Sequence, residues 1–115
     1  MLSKNTKMDE STPLEFHLSQ NYPNPFKEKT VIKFCIPYST KVQLNIYNSD
    51  GKIIEKLVDE EKEPGTYAIE FSSDGLSSYN IFRKIKKIPD GYYFYRLKAD
   101  NYTSEKKWFC KNGLL

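Results

Sequence analysis

The chain has 115 residues, 18 Lys and Arg against 15 Asp and Glu, a net charge of +3 and a single His. That length makes one domain, and so mild and interspersed a charge demands neither nucleic acid nor an anionic membrane as a partner. No run approaches the roughly 20 apolar residues of a membrane helix, and one His with two separated Cys cannot close a zinc site.

Residues 1–13 are polar, charged and without periodicity, and are expected to be disordered; residues 1–10 lack the apolar core of a signal peptide. The folded domain is expected over residues 14–115. Its nine Tyr, seven Phe and one Trp favour strands. Leu14, Phe16 and Leu18 alternate as a short first strand, which leaves His17 on the opposite, solvent face. Asn21, Tyr22, Pro23, Asn24, Pro25 and Phe26 follow. Two prolines one residue apart fix φ and predict an extended, polyproline-like path. Phe16, Leu18, Tyr22 and Phe26 would anchor it as a lid or edge on a β core.

Ile32, Phe34 and Ile36 share one face of the next strand, which Pro37 ends. Val42, Leu44 and Ile46 alternate before Asn48-Ser49-Asp50-Gly51, a turn signal that predicts a hairpin into the apolar run from Ile53 to Val58. The acidic run Asp59 to Glu63 reads as a solvated loop. Pro64-Gly65 opens a strand with Tyr67, Ile69 and Phe71 on one face. Residues 77–88 break the rhythm: Ile81, Ile85 and Ile88 suit a short basic amphipathic helix. It reads either as a partner or membrane-surface contact or as a long sandwich loop pinned to the core by its apolar side. From Gly91 on, Tyr93, Tyr95 and Leu97 form one face and Tyr92, Phe94 and Arg96 the other. Asp100-Asn101 then turns the chain into a last strand.

These elements predict an all-β fold, an immunoglobulin-like antiparallel β-sandwich of about seven strands with one long loop. Cys110 shares the inward face of Trp108 while Cys35 points away from Ile32, Phe34 and Ile36, so the two thiols stay unpaired. No nucleophile–base pair, phosphate loop or metal cluster is present in the sequence. The expectation is a non-enzyme with no cofactor and no metal.

Five segments, in order, carry a resemblance. They are Gln20-Asn21-Tyr22-Pro23-Asn24-Pro25-Phe26; Thr30, Ile32, Phe34 and Ile36-Pro37; Val42-Gln43-Leu44-Asn45-Ile46-Tyr47-Asn48 with Gly51; Gly65-Thr66-Tyr67; and Pro89-Asp90-Gly91-Tyr92-Tyr93-Phe94-Tyr95-Arg96-Leu97, trailed by Lys106-Lys107. Together they resemble the C-terminal sorting domains of type IX secretion cargo in the Bacteroidetes. The resemblance implies a non-catalytic sorting signal that the type IX translocon recognises in the periplasm and directs across the outer membrane to the cell surface or beyond. It implies secretion-system proteins as partners, no nucleic acid, and membrane contact only through the translocon. Carried onto this chain, recognition falls on Gly91, Tyr93, Arg96, Lys106 and Lys107, with Asn21 to Phe26 as a structural motif. The alternative is an immunoglobulin-like spacer, adhesion or carbohydrate-binding module using the aromatic face of Tyr92, Phe94 and Phe109. An edge strand left unpaired beside Pro23 and Pro25 would further allow a strand-exchange homodimer.

Overall fold

A computed structural model describes residues 5–9, 12–26, 29–72 and 91–110, the first of these by backbone alone. Alternating burial dictates the strands. In β3 (Lys29–Ile36), Thr30, Ile32, Phe34 and Ile36 point inward, and in β4 (Thr40–Tyr47) Val42, Leu44 and Ile46 do. β6 (Gly65–Ser72) buries Tyr67, Ile69 and Phe71, and β7 (Gly91–Ala99) buries Tyr93, Tyr95, Leu97 and Ala99. β8 (Tyr102–Cys110) contributes Trp108 and Cys110. A period of two with one apolar face is what a half-buried antiparallel strand requires.

β1 (Asn5–Asp9), β6, β3 and β2 (His17–Leu18) form one sheet in the order β1-β6-β3-β2, which we call sheet A. β5 (Ile53–Lys62), β4, β7 and β8 form sheet B in the order β5-β4-β7-β8. All neighbours are antiparallel. The inner faces close one core from Leu18 to Cys110. The predicted all-β sandwich is thus the observed architecture. Cys35 and Cys110 are not joined in a disulfide, and Cys110 is fully buried.

Four expectations change. Asn5–Asp9, placed in a disordered segment, runs as strand β1 against β6; a polar strand carries no alternation for sequence reading to find. The acidic run is not a loop, because β5 continues to Lys62 with Lys41 opposite Glu61 and Gln43 opposite Asp59. Its carboxylates are exposed and pair across or along the edge, as in Lys41–Asp59 at 3.6 Å and Lys62–Glu60 at 2.6 Å, while the Lys62 side chain is largely covered and lies over the Tyr67 ring. The polyproline-like path is replaced by a bend at residues 23–25, where the Tyr22–Pro23 and Asn24–Pro25 peptide bonds are cis. Tyr22 is no anchor, being 80% exposed. The basic stretch at residues 77–88 lies outside the described residues.

β5 also carries a register shift where Leu44 faces Val58 and Asn45 faces Lys56. The extra residue, Leu57, is a β-bulge, and it lets consecutive Leu57 and Val58 both turn inward. The Asn48–Gly51 turn is held by the Asn48 carboxamide oxygen, which accepts from the N–H groups of Asp50 at 2.9 Å and Lys52 at 3.0 Å.

Candidate functional site

The proline motif crosses the open side of the sandwich between β3 and β8 and fastens to both sheets. On the sheet A side, Tyr22 N–H donates to Val31 O at 3.0 Å and Val31 N–H returns to Tyr22 O at 2.9 Å. On the sheet B side, Gln20 Nε2 donates to Lys107 O at 2.9 Å. Asn24 Oδ1 accepts from Phe109 N–H at 3.1 Å, and Phe26 N–H donates to Phe109 O at 3.3 Å. These bonds show that Lys107 and Phe109 aim their backbone groups away from β7, so the period of two aims those of Thr103 and Glu105 the same way.

Asn21 is the centre of this clasp and is only 2% exposed. A buried carboxamide must find partners, and Asn21 Nδ2 donates to Thr30 Oγ1 at 3.0 Å and lies 3.2 Å from Pro23 O. Its backbone N–H donates to the Tyr95 hydroxyl at 2.7 Å, and that hydroxyl donates onward to Ser19 O at 2.6 Å. Burial pushes the Tyr95 phenol well above its ordinary pKa, a shift the Asn21 hydrogen bond only partly offsets. Phe26 is buried against Trp108 with ring centroids 4.8 Å apart and against Phe71 at 6.3 Å. Phe16 stacks on Tyr102 at 5.2 Å. Within the motif the bonds and ring contacts are made by Asn21, Asn24 and Phe26 and by backbone groups. Gln20, Thr30 and Tyr95 share in them, and only their three-dimensional register reveals it.

The five recognition candidates separate by strand parity. Tyr93 is 5% exposed and packs its ring toward Trp108, so it faces the core. Arg96 and Lys107 lie on the outer face of sheet B, and Lys106, opposite Tyr95, lies on the inward-facing side as a half-buried rim residue. Gly91 opens β7 at φ +147°, a conformation side-chain-bearing residues rarely adopt, although a Cβ there would meet nothing within 4 Å. The Arg96 guanidinium holds Glu105 through Nη2 at 2.9 Å and Nε at 3.0 Å, and it lies over the Tyr47 ring at 4.8 Å. Lys107 Nζ stands 4.9 Å above the Tyr92 ring, which meets Phe109 edge-on at 4.9 Å. Sequence reading missed Tyr47 and Glu105 as the partners that fix Arg96; they stand out only once Asn45, Arg96 and Glu105 are aligned across three strands.

The outer face of β4, β7 and β8 therefore presents cations fixed on aromatic rings, with Tyr92 55% exposed. No cluster of three His, Cys, Asp or Glu lies together among the described residues. This is a surface suited to contact with a macromolecule.

The comparisons with known proteins bear on the family and on the fold. The sequence profile described as "Secretion system C-terminal sorting domain" matches residues 20–111. No curated protein sequence matches the chain. Among solved structures, dimeric latent PorU from Porphyromonas gingivalis aligns with 90% of this chain at 21% identity and a TM-score of 0.55, a likeness of fold. This chain spans about 10% of the length of PorU. With residues 20–111 matched, from the proline clasp through the last strand, the chain belongs to the secretion system C-terminal sorting domain family, type IX sorting signals that work with proteins of the secretion machinery and lead to the cell surface or extracellular space.

Proposed function

We propose that this domain acts without catalysis, as a folded address read by the type IX translocon on the periplasmic side through the outer face of β7 and β8. The observation that carries the reading is the fixed pair of cations there: Arg96 clamped between Tyr47 and Glu105, and Lys107 over Tyr92. A cation held by an aromatic ring and an ion pair loses little side-chain freedom on docking, which makes it a favourable interface anchor. Lys106 supports recognition from the rim. Tyr93 and Gly91 act indirectly, Tyr93 by packing β7 onto Trp108 and Gly91 by setting the backbone at the start of β7. Family membership favours this reading over a spacer or carbohydrate-binding module.

The test places the full chain behind a signal peptide and a fluorescent reporter in a bacterium with type IX secretion. Reporter at the surface or in the medium is compared with that in a translocon-deficient strain. Translocon-dependent export is expected, and Arg96→Ala with Lys107→Ala should leave reporter in the periplasm while the purified domain melts near the parent temperature. A folded double variant exported at the parent level would overturn this assignment of the recognition face. Periplasmic retention of the parent chain itself would overturn the sorting reading.

A further inference from the structure

The family match begins at residue 20, yet a strand before it, Asn5–Asp9, occupies the edge of β6. Asn5 stands opposite Ile69, Thr6 opposite Ala68 and Lys7 opposite Tyr67, after which the register slips so that Asp9 faces Thr66. β1 reads Asn-Thr-Lys-Met-Asp, with one apolar residue in five. Such a strand has little apolar surface to bury and a weakly specified register. Its pairing rests on backbone hydrogen bonds to the β6 edge, the form of recognition by which a sheet accepts an added extended segment.

The connection to the rest of the chain is long for the gap it bridges. Asp9, Thr66, Cys35 and His17 stand in one row across sheet A. Three strand spacings separate the ends of that row, about 14 Å. Residues 10–16 join them and can reach roughly 23 Å when extended. Such slack leaves β1 free to leave its own β6 without disturbing β2. The pairing made by a neighbour's β1 would be the same as that made within one chain, so exchange replaces like with like.

We infer that the β6 edge is a strand-acceptor site and that its occupant β1 exchanges with that of a second copy of this chain. The exchange places the dimer contact on sheet A, on the edge away from β2 and the proline clasp. It does not depend on the sorting role. The balance is set by concentration, because a tethered strand competes at an effective concentration on the order of millimolar.

Two full-length variants test this, each in a Cys35→Ser background because Cys35 lies diagonally beside Ala68 on the same outer face. One carries Thr6→Cys and the other Ala68→Cys, substitutions at facing positions of β1 and β6. Mixed at about millimolar concentration under mild oxidation, they are expected to give a disulfide joining positions 6 and 68 of different chains, mapped by mass spectrometry. Adding Lys7→Pro and Met8→Pro to the first variant removes backbone donors of both parities and should abolish the product. A single chain carrying both cysteine substitutions reports the unexchanged form. Cross-linking only within that chain, with no mixed product, would overturn exchange. Loss of both products would overturn the β1–β6 pairing itself, and a mixed product that survives the proline pair would show that strand pairing does not produce it.

Discussion

Tyr95 joins two jobs in one side chain. Its ring packs on Trp108 with centroids 5.5 Å apart, and its hydroxyl links Asn21 N–H to Ser19 O. Tyr95→Phe keeps the ring and leaves both backbone groups without that partner, a loss of about 1–3 kcal/mol at neutral pH. The phenol's folded pKa lies above its unfolded value of about 10. Its contribution is therefore complete below about pH 10 and is lost as pH rises beyond that, because only the unfolded state releases the proton. Denaturant melts of parent and Tyr95→Phe should show a gap that is constant from pH 7 to 9 and narrows toward pH 11. A gap that widens would contradict the assignment. Asn21→Ala should cost about 1–3 kcal/mol, since Thr30 is buried with it. Asn24→Ala, on a partly solvated bond to Phe109, should cost less than about 1 kcal/mol.

Among the elements, β8 has two unequal edges. The side facing β7 is paired from Tyr102 to Cys110, while on the opposite side, among the described residues, Gln20, Asn24 and Phe26 bond to Lys107 and Phe109. Backbone parity then decides what a proline does. Ser104→Pro removes a donor directed at β7 and should cost about 3 kcal/mol or more, whereas Thr103→Pro removes an outward donor and should cost distinctly less. Urea midpoints of the two variants measure the difference, and equal losses would show that the parity is wrong. Most strands were legible because Ile32, Phe34 and Ile36, or Tyr93, Tyr95 and Leu97, repeat every second residue against polar neighbours. β5 was legible only in part. The bulge at Leu57 adds a residue that period-two reading cannot place, and Asp59–Lys62 looked like a loop because both its faces are charged. The clasp was visible as a motif but not as a mechanism. Its partners Lys107 and Phe109 lie more than 80 residues away, and nothing local in Asn21 or Asn24 points to them.

The molecule as a whole is a sandwich with one laced side. Sheets A and B share the core, and the segment from Phe16 to Phe26 adds direct bonds to β3, β7 and β8. Phe26 fills the space between Phe71 of sheet A and Trp108 of sheet B. Phe26→Ala should cost about 3–5 kcal/mol and, in a thermal melt, lower the midpoint of one cooperative transition. Two separated transitions would show that the sheets unfold independently. The division of labour also explains how the family resemblance spread over the sequence: the proline motif and the β7–β8 strands are distant in order and adjacent in space. The proposed recognition face on sheet B and the β1 edge on sheet A lie on different sheets, so the proposed docking and strand exchange need not compete.

The lacing joins the first part of the domain to its last strand, with Gln20 bound to Lys107 across 87 positions. Those bonds can close only after the ribosome has delivered β8. A message cut short before Trp108 yields a polypeptide with an exposed Phe26, a Tyr95 without its large neighbour and no anchorage for Gln20 or Asn24. The clasp is thus a junction that needs β8, and Gln20 and Asn24 have their cross-sheet partners only in a chain that carries it.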